Sequence, residues 1–119
     1  MDSWQGQDYL WNSFGLSAYD ENTVDEDAKM PYITYEAVDG SLGGSTLVSA
    51  SLWYKGESWE AISKKANQMK LGLNRQVKID GGYIKVRTPF ENYATRMSDP
   101  DNKDIRRIRI AVEMEFLTN

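Results

Sequence analysis

The stretch Asp104-Ile105-Arg106-Arg107-Ile108-Arg109-Ile110-Ala111-Val112-Glu113-Met114-Glu115-Phe116-Leu117 alternates residue by residue. Ile108, Ile110, Val112, Met114 and Phe116 form one apolar row. A period of two held over this length is that of an extended strand with one face on a core. It predicts a long final strand, with the rest of the chain arranged around it. The other row runs Arg107, Arg109, Ala111, Glu113, Glu115, basic in its first half and acidic in its second, with Arg106 nearby. Two uses of that row stay open. It meets another subunit, or it faces solvent with cross-strand ion pairs worth on the order of a few tenths of a kcal/mol each.

Working outward, Val77-Lys78-Ile79, then Asp80-Gly81-Gly82, then Tyr83-Ile84-Lys85-Val86 predicts a hairpin, because Asp-Gly tolerates the positive φ of a tight turn. Thr46 to Tyr54 alternates and reads as a strand. Pro31 opens another, Tyr32 to Val38, rich in β-branched and aromatic residues. The glycine-rich turn 39–45 joins these two. Between them and the hairpin lies an amphipathic helix, Ser58 to Leu71, with Ser58 as N-cap, Glu60 in the first turn and Gly72 as stop. Trp59, Ile62, Ala66, Met69 and Leu73 form its apolar face. Lys64, Lys65 and Lys70 lie off that face, as a solvated surface rather than a nucleic-acid patch.

Residues 87–103 show no period and read as a long loop, beyond the roughly 12–15 residues that compact domains usually tolerate without a reason. Residues 1–15 read as a short helix whose stripe is Trp4, Leu10, Trp11 and Phe14, frayed at its start by Gly6. Residues 16–30 read as an acidic connecting loop. The expectation is a single small α+β domain over 1–119: helix 1–15, loop 16–30, then sheet and helix 58–71 over 31–119. The sheet is mainly antiparallel, with mixed pairing left open, of about five strands, and the helices pack on one face.

Composition narrows the function. The 119 residues contain no His and no Cys, which removes the usual general base, triad partner, thiolate nucleophile and zinc ligands. No G-x-S-x-G, G-x-x-x-x-G-K-[ST] or G-x-G-x-x-G occurs. Asp99, Asp101 and Asp104 with Asn102 have a calcium-loop look, but the required Gly and bidentate Glu are missing at their offsets. Asp20-Glu21 and Asp25-Glu26-Asp27 offer no defined cage either. No catalytic, cofactor-binding or metal-ligating residue is therefore assigned, and no enzyme is expected. No apolar run approaches the roughly 18 residues of a membrane span, and no secretory leader is visible. The net charge is −4, uneven along the chain: residues 1–28 hold seven acids and no base, and the remainder is net positive. That balance, without an aromatic–basic groove, speaks against a nucleic-acid-binding module.

Several strings occur in a characteristic order. They are Trp11-Asn12-Ser13-Phe14-Gly15-Leu16-Ser17-Ala18-Tyr19-Asp20-Glu21-Asn22-Thr23-Val24, Met30-Pro31-Tyr32-Ile33-Thr34-Tyr35-Glu36, Ser51-Leu52-Trp53-Tyr54, Ser58-Trp59, Ile79-Asp80-Gly81-Gly82-Tyr83 and Arg106-Arg107-Ile108. Over about residues 11–117 the chain resembles the small tail-terminator proteins, also called minor capsid or head–tail joining proteins, of long-tailed non-contractile phages and prophages. The resemblance implies a structural virion protein, assembled in the host cytoplasm, with no cofactor. It implies a homo-oligomeric ring, usually a hexamer, on the last ring of the major tail tube protein. That ring halts tube polymerisation and offers a surface to the neck or head-completion proteins, while DNA passes through without specific binding. Another neck component, a head-completion or stopper protein, is the alternative of the same class. For such a role the turn 39–45 and the loop 87–103 are the candidate contacts. Phe90, Tyr93, Arg96 and Met97 are singled out because aromatics, Arg and Met are enriched at interfaces; the other reading of Phe90 and Tyr93 is that they pin the loop onto its own core. From the final strand, Arg107, Arg109, Glu113 and Glu115 join them.

Overall fold

The computed structural model describes residues 1–39, 44–98 and 101–118. The expected turn contact at 40–43 and the Asp99 carboxylate lie outside these residues. The elements run α1 (Ser3–Asn12), β1 (Ala18–Asp20), β2 (Tyr32–Tyr35), β3 (Ser45–Lys55), α2 (Glu60–Gly72), β4 (Arg75–Ile79), β5 (Gly82–Arg87), β6 (Ala94–Met97) and β7 (Ile105–Thr118). All seven strands join one sheet, ordered β1-β2-β3-β7-β5-β4, with β6 also on β7. Pairing is antiparallel except for β1 beside β2, which is parallel. The sheet is thus mixed and larger than the sequence suggests.

β7 is its axis. It pairs with β3 from Ile105 opposite Lys55 to Glu115 opposite Ser45. Its apolar row is buried as expected, and register places Val48, Ala50 and Leu52 of β3 on the same face. Ile33 and Tyr35 of β2, Ile84 and Val86 of β5, and Val77 of β4 complete that face. The β4–β5 hairpin turns at Asp80-Gly81, where Gly81 has φ +77°.

Both helices cover this one face. α2 buries Ile62, Ala66 and Met69 on one stripe, followed by Leu73. Its N-cap position is Trp59, one residue later than expected, although Ser58 Oγ still accepts the Glu60 N–H. α1 begins with a capping box: Asp2 accepts from Gln5 N–H, and the Gln5 side chain accepts from Asp2 N–H. Its buried stripe is Gly6, Gln7, Leu10 and Trp11, whereas Trp4 is half exposed on the far side. Gly6 is a contact point rather than a weak start, since a Cβ there would meet Ile79 Cγ2 at 2.6 Å. Trp11 stacks on Tyr35 at 6.2 Å between centroids, and the Tyr35 hydroxyl donates to Asp8. Burial first, then this acceptor, pushes the Tyr35 hydroxyl pKa up.

Two regions expected to lack regular structure contain strands. The acidic segment holds β1, short and at an edge, and the long loop holds β6. Among the described residues no helix is long and apolar enough to cross a membrane.

Candidate subunit interface

With both helices on one face, the other face of the sheet has no covering element among the described residues. The strand register decides which side chains stand there. Because Ile108 and its alternates point to the core, Arg107, Arg109, Ala111, Glu113 and Glu115 point away from it. Met97 lies opposite Arg107, so it shares this side. Five of the eight residues singled out in the sequence therefore come together on one surface.

The side chains there are ordered in cross-strand rows. Tyr32, Trp53 and Arg107 are successive partners on β2, β3 and β7. Tyr19 of β1 meets Tyr32 edge-on at 5.8 Å, Tyr32 lies 6.5 Å from Trp53, and the Arg107 guanidinium sits 4.7 Å over the Trp53 ring. Trp53 Nε1 donates to Thr34 Oγ1 at 2.8 Å, and Arg107 Nε donates to Ser51 Oγ at 3.0 Å. These contacts bury Thr34 and Ser51 on the uncovered face. They also fix Trp53 and Arg107, both half-buried, in place on this face. The sequence names Arg107 and Met97 but not Tyr19, Tyr32 or Trp53. Their alternation was visible; the register that aligns them was not.

Charge along this face changes as the sequence predicts, with one difference in detail. Glu113 pairs with Arg87 at 3.1 Å and accepts from Ser45 Oγ. The Arg87 hydrogen bond holds the Glu113 carboxyl below the usual carboxylate range. Glu115 stands opposite Lys85 on β5. Of the acidic end, Glu113 is thus ion-paired within the chain. At the basic end, Arg109 is exposed between Ser51 and Thr95 and makes no hydrogen bond or ion pair among the described residues.

The residues from 87 to 103 are built quite differently from a loose loop. Arg87 is opposite Glu113 and Ala94 is opposite Ile110, so residues 88–93 bulge out where β7 spends only Ala111 and Val112. Both feet are fixed. Thr88 N–H donates to Asn74 Oδ1, and Tyr93 O accepts the Ala111 N–H. Tyr93 is buried, its hydroxyl donating to Ala66 O at 2.9 Å, with Lys70 Nζ 5.5 Å over its ring. Burial pushes its pKa up. Tyr93 therefore anchors the bulge and has no ring surface for a partner, which is the core-pinning reading of this residue and not the interface one. Phe90, at the crest, is 101% exposed. A fully hydrated Phe on a pinned bulge contributes nothing to the fold in this state and suits a contact made elsewhere. Arg96 belongs to the helix side: it donates to Ser63 Oγ and lies 5.1 Å over Trp59.

No three His, Cys, Asp or Glu side chains among the described residues stand where they could hold a metal ion. Asn102 Oδ1 instead accepts the Asp104 N–H in a local turn. No family model matches the chain, and comparison with curated proteins finds no match either.

Proposed function

We propose that this chain is a structural subunit of a phage tail terminator. In this reading copies form a ring at the head-proximal end of the tail tube, end its polymerisation and present the surface to which the neck attaches. The observation that supports it best is the uncovered sheet face. Its Tyr–Tyr–Trp–Arg row and Arg109, unpaired among the described residues, have the composition of an interface core and rim, and the bulge adds the fully exposed Phe90. The order of sequence strings given above supplies the class of assembly. A ring subunit needs two different, complementary surfaces, and opposite edges and faces of one sheet offer them here.

Deleting the coding sequence from the phage or prophage that carries it tests the reading. The expected result is DNA-filled heads left unjoined and tubes of unregulated length, both restored when the chain is supplied in trans. Normal joined virions without the chain would overturn it.

A further inference from the structure

The sheet ends in β1 and β4 and has a further free edge at β6, and the β1 and β6 edges are finished differently. At the β1 edge the outward backbone groups of Ala18 are taken by Asn12, whose Oδ1 accepts the Ala18 N–H and whose Nδ2 donates to Ala18 O. Asp20 O accepts from Thr23 N–H. That edge is closed by the chain itself. At β6 the Ala111 N–H to Tyr93 O bond sets the phase of pairing with β7. Thr95 and Met97 turn their backbone groups toward β7, and those of Ala94 and Arg96 turn outward. Among the described residues no hydrogen bond uses the outward groups.

Beside this open edge runs α2. Between them lies a cleft of about 220 Å³ lined by Ser63, Ala66, Asn67, Ala94, Arg96 and Ile108. Ala66 and Ile108 are buried, and the Asn67 amide is exposed without a hydrogen bond among the described residues. One end of the cleft is cationic. Arg96 and Arg106 both lie over Trp59, at 5.1 and 5.3 Å. Their hydrogen bonds go to Ser63 Oγ and to the carbonyls of Glu57, Lys103 and Ile105, not to any carboxylate among the described residues. An open strand edge, an adjoining helix and guanidinium groups with no carboxylate partner among the described residues form a receptor for an extended acidic segment added as a strand.

We propose that the occupant is the segment 23–27 of a second copy of this chain, an inference that rests on the ring reading above and names its subunit contact. This segment joins β1 to β2, at the edge of the sheet opposite β6, with β2, β3 and β7 between. A turn precedes it, Thr23 N–H to Asp20 O, and its acidic end, Asp25 to Asp27, lies in a second turn closed by Ala28 N–H to Asp25 O. The stretch Thr23-Val24-Asp25 between them matches in length the Ala94–Arg96 edge it would line. Val and Thr favour strand. Asp25, Glu26 and Asp27 are exposed and carry the charge that Arg96 and Arg106 lack. Segment and cleft lie at opposite edges of one sheet, so each copy offers one and receives the other. Such a head-to-tail contact closes into a ring when its rotation allows.

Two charge reversals on exposed residues test this: Arg96→Glu, which spoils the cleft, and the triple variant Asp25→Lys, Glu26→Lys, Asp27→Lys, which spoils the segment. Self-association is read by sedimentation velocity and native mass spectrometry over a salt series, with circular dichroism confirming that each variant folds. The wild-type chain is expected to oligomerise, less so as salt rises, and each variant alone to associate on the order of tenfold more weakly. An equimolar mixture of the two variants is expected to associate more tightly than either alone, because each intact segment then meets an intact cleft and each reversed segment meets a reversed cleft. Amide exchange at Ala94 and Arg96 should slow on assembly. Variants that associate like the wild type, a mixture that stays monomeric, or a wild-type chain that stays monomeric to millimolar concentration would each overturn the contact. So would variants that lose stability but not association, which marks a fold-back onto the chain's own cleft. If tubes are still capped in any of these cases, the docking inference fails and the terminator reading stands. If association behaves as described but tubes are not capped, the reverse holds.

Discussion

Replacing Gln7 by Leu keeps the side-chain volume and removes one amide from a place that water does not reach. Gln7 is 0% exposed. Its Nε2 donates to Val38 O at 2.8 Å and to Ser3 O at 3.2 Å, and its Oε1 accepts the Val38 N–H at 2.9 Å. The side chain thus acts as a short piece of strand that ties α1 to the end of the β2 region. Each bond contributes about 0.5–1.5 kcal/mol net, and a buried partner left unsatisfied costs about 1–3 kcal/mol. Val38 is half-buried, so its groups regain part of their hydration, which brings the expected loss to about 2–4 kcal/mol. For a chain of this size that is a fall in Tm of about 10 °C. Urea unfolding followed by circular dichroism should show a lower midpoint with an unchanged m-value. A second variant, Gln7→Glu, fixes the cause. Its carboxyl, buried against the carbonyl oxygens of Val38 and Ser3, needs a proton to donate, so its folded pKa rises above the unfolded value of about 4.3. Q7E is then most stable at pH below that unfolded value. It loses stability as pH rises toward the folded pKa, by about 1.4 kcal/mol per pH unit. A Q7L protein within about 0.5 kcal/mol of wild type, or a Q7E protein whose stability is flat with pH, would refute the assignment.

Three further outcomes follow from the geometry. Gly82→Ala puts a Cβ 1.9 Å from the Leu117 carbonyl oxygen. The β5–β7 ladder must separate there, and chemical denaturation should show a loss at or above the roughly 1–3 kcal/mol of ordinary overpacking. Tyr93→Phe removes the buried hydrogen bond to Ala66 O and should cost about 1–2 kcal/mol, with faster amide exchange confined to residues 88–97. Tyr93 keeps its proton to higher pH when folded, so its contribution is complete below the unfolded tyrosine range and fades as pH rises through the folded value; Y93F should flatten the alkaline limb of stability. Phe90→Ser should leave the melting curve unchanged, within about 0.5 kcal/mol, and still impair head–tail joining in a complementation assay, an outcome that a merely structural Phe90 would not produce.

The long elements were legible because their signals are repeated. β7 alternates from Ile108 to Phe116, and Asp80-Gly81 marks the β4–β5 hairpin by a conformational need that few other pairs meet. The short strands left no such trace. Ala94-Thr95-Arg96-Met97 is nearly all exposed, and β6 exists because β7 extends past the end of β5 and offers free partners. β1 depends likewise on β2 and on Asn12. In α1 Leu10 and Trp11 face inward as the stripe predicts, but Trp4 does not, because the inward positions of the first turns are filled by Gly6 and Gln7. A close backbone approach and a fully bonded amide both look polar or neutral in a hydrophobicity pattern. At the candidate interface the residue types were readable from the alternation of β7. The aromatic row beside Arg107 and the Arg87–Glu113 pair depend on register across strands far apart in sequence, which local spacing does not encode. Tyr93 and Phe90 differ only in which side of a bulge each occupies.

The terminator reading is tested most directly by tube length. The cognate tube protein is polymerised with and without this chain, and the tubes are measured by negative-stain electron microscopy with the chain tagged for location. The account predicts that tubes grown with the chain stop short and carry the tag at one end only. Tubes of unchanged length, with the tag absent from their ends, would contradict it.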